Sequence, residues 1–103
     1  MKGMNEMMRQ AQLMQKKISK MQEELKTREV EASAGGGMVT VKANGSQEVI
    51  EIKIDPTIFE GGDAEMLQDL VLAAVNEALR QAKDMMEKEM GQITGGMSIP
   101  GLM

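Results

Sequence analysis

The chain of 103 residues contains no cysteine, histidine, tryptophan or tyrosine, and its single aromatic residue is Phe59. Without cysteine there is neither a disulfide framework nor a thiolate metal site. Without histidine the commonest general base and the commonest metal ligand are missing. Enzyme chemistry would have to rest on carboxylates, lysines or hydroxyls alone. Long apolar runs are also lacking: no window approaches the ~20 residues of a membrane span. The amino terminus, Met1 to Glu6, has no signal-peptide core. These absences predict a soluble, cytoplasmic protein with no membrane partner. The scarcity of aromatics disfavours modules for RNA or single strands, which stack bases on Phe, Tyr or Trp.

Thirteen methionines supply much of the apolar volume. Methionine fills irregular gaps and adaptable interfaces, so these residues read first as the cores of helices. A soft-metal site would bring Cys or His as well. The net charge of −4 hides a segregation. Residues 1–28 carry seven cations against three glutamates, a net of +4, whereas the remaining 75 residues carry five cations against thirteen acids, a net of −8.

Three segments follow one another. Between Asn5 and Arg28 neither Pro nor Gly interrupts the chain, and Met4, Met7, Ala11, Met14, Ile18, Met21 and Leu25 recur in steps of three and four. This is a heptad seam of a helix that needs a partner. Lys2, Arg9, Lys16 and Lys20 fall on the opposite side as a basic stripe. The second segment is β. Val30, Ala32 and Ala34 alternate with polar residues, three glycines intervene, and two β-branched runs flank Asn44-Gly45. Asn-Gly signals a two-residue type I′ hairpin. That register sets Ala43 opposite Ser46, Val39 opposite Ile50 and Val41 opposite Glu48, with Val39, Val41, Ile50, Ile52 and Ile54 on one face. Asp55-Pro56 ends the last strand. The third segment is a helix opened by Asp63 as N-cap, with a broad apolar band from Leu67 to Met86. Gly91 and the glycines beyond it predict the helix end, giving a domain over 1–91 and a flexible tail over 92–103.

The plan is therefore α+β: a long N-terminal helix, a three-stranded antiparallel sheet and a long C-terminal helix. So small a sheet leaves edges and one open face, which predicts a homodimer.

A P-loop needs its glycines followed by Lys-Ser/Thr and a helix, but Gly35-Gly36-Gly37 leads into Met38 and a strand. The glycines turn the chain between strands, or form a bulge where strands meet across a dimer. Glu23/Glu24 and Glu87/Glu89 lie on charge-rich helical stretches, where a solvated face with i,i+4 partners accounts for them. The acids from Asp55 to Glu65 miss the EF-hand spacing. No catalytic residue, cofactor site, metal site or small-molecule substrate is expected. The basic stripe remains, and cations arrayed along one element suit the phosphates of duplex DNA.

The ordered set of a Met/Gln-rich basic helix, Ala34-Gly35-Gly36-Gly37-Met38-Val39-Thr40-Val41, Asn44-Gly45, Ile52-Lys53-Ile54-Asp55-Pro56, Leu67-Gln68-Asp69-Leu70-Val71, Ala73 to Ala78 and Ile99-Pro100-Gly101-Leu102 resembles the YbaB/EbfC nucleoid-associated proteins. The resemblance spans nearly the whole chain. It implies a homodimer with a shared β core, helices projecting like tweezers, binding of double-stranded DNA with a change in its conformation, and a role in nucleoid organisation and gene regulation. Combined with the stripe, it assigns phosphate contacts to Arg9, Lys16 and Lys20 on the first helix and to Arg80 and Lys83 on the second, with Lys2 terminal. Asn76 has two readings, a buried structural hydrogen bond or a DNA contact. The acidity of residues 29–103 predicts modest affinity at physiological salt. The competing reading is a coiled-coil adaptor or chaperone-like dimer that holds a protein partner through its Met-rich seams.

Overall fold

The structure, a computed structural model, describes residues 2–95. Helix α1 (Lys2–Thr27) leads into strands β1 (Glu29–Ala34), β2 (Val39–Asn44) and β3 (Val49–Ile54), then a 3-10 turn over Pro56–Gly61 and helix α2 (Ala64–Thr94). The sheet is antiparallel in the order β1-β2-β3, as the sequence pattern predicts.

Alternation decides which residues enter the core. Ala32 of β1 and Val39, Val41 and Ala43 of β2 are buried, α2 sets Ala74 and Ala78 against them, and Ala82 is buried one turn further on. Each fully buried valine contributes roughly 1.5–3 kcal/mol. Helix α2 lies across β1 and β2 and only grazes β3. The consequence is an uneven sheet: Ile52 pairs with buried Val41 yet is 45% exposed, and Val49 and Ile50 are exposed too.

The triple glycine is a turn. Gly35, Gly36 and Gly37 all have positive φ, at 64°, 66° and 94°, a region that other residues resist. They carry the chain from Ala34 to Val39, which pair with each other.

The β2–β3 connection differs from the expected two-residue hairpin. It is a four-residue loop in which Val39 pairs with Ile54 and Val41 with Ile52, and Ile50 is an extra residue at a bulge. The organiser is the Asn44 side chain, whose Oδ1 accepts from the Ser46 and Glu48 amides at 3.0 and 3.1 Å. Positive φ falls at Gln47 rather than at Gly45. Gly45 is needed for another reason. The end of α1 crosses so closely that a Cβ there would lie 2.8 Å from the Leu25 carbonyl oxygen and 2.9 Å from its Cβ. The Gly45 amide donates to that same carbonyl at 2.8 Å, which the Arg28 amide also reaches at 3.2 Å.

Asp63 caps α2 as its sequence position predicts, accepting from the Met66 amide at 3.0 Å. The far end is a correction. Gly91 does not stop the helix, which continues to Thr94 and closes with Gly95 in the left-handed region, its N–H bonded to the Gly91 carbonyl. Most of the expected tail, residues 96–103, lies outside the described residues.

Gly45→Ala should destabilise the fold by about 1–3 kcal/mol, the cost of overpacking a tight contact. A lowered urea midpoint with an unchanged slope would show it; an unchanged midpoint would mean that α1 and the loop are not held together here.

Candidate nucleic-acid interface

Two helices carry the candidate residues. The base of α1 is docked: Met21 and Leu25 are buried and Ile18 is half-buried. Arg28, just past the helix, bonds Glu89 of α2 at 2.9 Å. Leu25 and Lys26 lie beside Met86, while Lys17, Lys20 and Met21 lie beside Gln92 and Ile93. The helices thus run antiparallel over their last turns. Helix α2 ends at Thr94, so α1 residues ahead of Lys17 project without cover. That stretch of about 15 residues spans roughly 22 Å at helical rise. Its seam is bare, with Met7 73% exposed and Met4 and Met14 exposed beside it.

On the other side of this helix stand Arg9, Lys16 and Lys20. All three are exposed. At 3.6 residues per turn they fall within about 40° of one another and span about 16 Å along the axis. Among the described residues none of the three has an ion-pair partner. Lys17, which the stripe spacing did not include, is exposed and equally unpaired.

Arg80 and Lys83 are exposed on α2 but engaged. The Arg80 guanidinium reaches both Glu77, through Nε at 3.0 Å, and Asp84 at 2.8 Å. Lys83 stands 4.0 Å from Glu87. Among the described residues, no hydrogen bond or ion pair joins these two to the α1 cations. Asn76 is exposed, which removes its reading as a buried hydrogen bond. Lys2 belongs to α1.

The model of the YbaB/EbfC DNA-binding family matches residues 1–97. The chain belongs to that family. Among relatives, a nucleoid-associated protein of Alkaliphilus metalliredigens is 60% identical over 97% of this chain and 88% of the relative. One of Moorella thermoacetica is 57% identical over 98% and 97%. The crystal structure of an uncharacterized protein of Helicobacter pylori, HP0035, matches with a TM-score of 0.75 at 27% identity, covering 82% of this chain and 89% of that one.

The YbaB/EbfC family and the names of these relatives describe DNA-binding, nucleoid-associated proteins rather than enzymes. Among the described residues of this member no group of three or more potential metal ligands converges. No described helix is long and apolar enough to cross a membrane.

The Arg80 fork tunes its partner. The hydrogen bond from Arg80 is the main cause that holds the Glu77 carboxyl below its ordinary value, against a smaller opposing effect of desolvation. Arg80 in turn is pushed up by the Glu77 hydrogen bond. A depressed carboxylate favours the folded state above its unfolded value, and that contribution fades as pH falls through the folded value. The fork therefore stays closed throughout the neutral range. In a carbon-detected NMR titration of Glu77, the Arg80→Gln variant should move the midpoint up toward the ordinary carboxylate value. An unmoved midpoint would show that Arg80 does not engage Glu77 in solution.

Proposed function

We propose that two copies of this chain form a dimer that binds duplex DNA through the cationic side of α1, alters its conformation and contributes to nucleoid organisation and gene regulation. One observation supports this above the others: Arg9, Lys16 and Lys20 form a line of exposed cations with no carboxylate partner among the described residues, on a helix that projects beyond the rest of the fold. Free cations displace condensed counterions from phosphates, whereas paired ones must first give up a carboxylate. Arg80 and Lys83 are secondary contacts on this reading. The acidic remainder of the chain keeps affinity modest at physiological salt.

The dimer follows from what the monomer leaves uncovered. Edge strand β3 exposes Val49, Ile50 and Ile52, and the seam of α1 exposes Met4, Met7 and Met14. An apolar edge strand invites another chain. A twofold arrangement covers the same surface on both copies and gives the shared β core. Ile52→Asp should turn a particle of twice 11.3 kDa into a monomer by light scattering after size exclusion; an unchanged mass would place the interface elsewhere.

The DNA reading is tested by fluorescence anisotropy on unrelated duplexes over a salt series. Affinity should fall steeply with salt, the log–log slope changing by about 0.9 for each phosphate contact. Arg9→Glu, Lys16→Glu and Lys20→Glu together should abolish binding while the dimer mass stays unchanged. Arg80→Gln with Lys83→Gln should cost much less. If the triple variant binds as the parent does, the α1 assignment fails. The exposed methionines favour one competitor, an adaptor that grips a protein partner. Partner capture that survives high salt and is lost in Met7→Ser with Met14→Ser would support that competitor instead.

A further inference from the structure

Leu13 does not belong to the seam of α1. Heptad spacing places it on the other side, and it is 52% exposed. Arg9 precedes it by four residues, Lys16 and Lys17 follow by three and four, and Lys20 follows by seven. At helical periodicity Arg9, Leu13, Lys16 and Lys20 fall within an arc of about 60°. An exposed leucine thus sits inside the cationic line, flanked by charge along the helix axis in both directions. The docked base of α1 uses Ile18, Met21 and Leu25, so α2 cannot reach it. A second copy packed on the seam would leave it bare as well.

We propose that Leu13 reads the floor of the DNA major groove, seating its methyl groups against the C5-methyl of thymine while Arg9, Lys16 and Lys20 hold the flanking phosphates. This inference rests on the proposed duplex binding and gives it a base contact. The dimensions fit. A helix is 10–12 Å across with its side chains and the major groove is about 12 Å wide. With the axis lying along the groove, the stretch from Arg9 to Lys20 covers about 16 Å of it, so long cationic side chains on either side of Leu13 along the axis reach up to the phosphates that line the groove. Phosphate contacts position a protein without reading sequence, and base edges supply the readout. The thymine methyl is the apolar group that the major-groove floor offers. Leu13 has no hydrogen-bonding capacity, so its contribution is apolar, insensitive to salt and selective for T·A pairs.

The test uses the full chain and two duplexes of identical sequence, one with every thymine replaced by deoxyuridine, which lacks only that methyl. The parent should bind the deoxyuridine duplex about fourfold more weakly for each arm seated in the groove, as expected for one methyl group left unburied per Leu13. Leu13→Ala should bind both duplexes equally, with the parent's salt slope and the parent's mass. Leu13→Met should retain the discrimination. Three results overturn the proposal: a parent that binds both duplexes equally well, a Leu13→Ala variant that still discriminates, or a Leu13→Ala variant whose mass falls, which would make Leu13 an interface residue. A parent that binds neither duplex is a different result, since it overturns the duplex reading itself and Leu13's role with it.

Discussion

The whole arrangement depends on how closely α2 lies on the sheet. Ala74, Ala78 and Ala82 recur every four residues and are fully buried, the first two against Val39, Val41, Ala43 and Ala32. Small side chains on both partners let the helix backbone approach the strands, and a bulky residue at any of the three would lift it away. One helix seated so tightly covers about two strands, which is why β3 is left uncovered. Strands of six residues span about 20 Å, whereas 31 helical residues span about 46 Å. The excess of α2 beyond the sheet is the surface on which the base of α1 rests.

Charge is distributed along the same division. The acids of α2 engage two of that helix's three cations and one beyond it: Glu77 and Asp84 hold Arg80, Glu87 stands near Lys83, and Glu89 reaches across to Arg28, while Lys88 has no ion pair among the described residues. Exposed pairs of this kind add little to stability. Their effect here is to remove cations from play. On the projecting part of α1 the ratio is reversed, with Glu6 the only acid between Lys2 and Lys20. Positive potential is therefore concentrated on the arm, despite a net negative chain.

Both helices, the sheet order and the Asp63 cap were legible because they depend on local spacing. The hairpin was misread because Gly45 answers to a tertiary contact. Asn44-Gly45 looks like a turn that needs positive φ, but the glycine makes room for Leu25 while Gln47 takes the positive φ. Gly91 misled in the same way. A glycine inside a helix costs about 1 kcal/mol relative to alanine, and here its carbonyl takes part in closing the helix with Gly95 and Thr94. Heptad spacing was enough to place Arg9, Lys16 and Lys20 together on one exposed side of α1. Spacing alone does not separate engaged from free cations: Glu77 and Asp84 at i−3 and i+4 bond Arg80, whereas Glu6 at i−3 of Arg9 and Glu24 at i+4 of Lys20 form no ion pair among the described residues. Exposure of Asn76 and Leu13 needed the packing.

A helix of about 15 residues is marginal in water by itself, because its first turn is costly to form. The projecting arm of α1 avoids that cost by continuing a turn already fixed at its base, where Leu25 meets Gly45 and Arg28 meets Glu89. Each further residue then adds only a propagation step, and the arm is rich in Met and Gln, which favour helix. Contacts that touch neither phosphate nor base thus determine whether the cations stand in line. The geometry of the cationic side is set from the docked end of the helix, more than 20 Å from its tip.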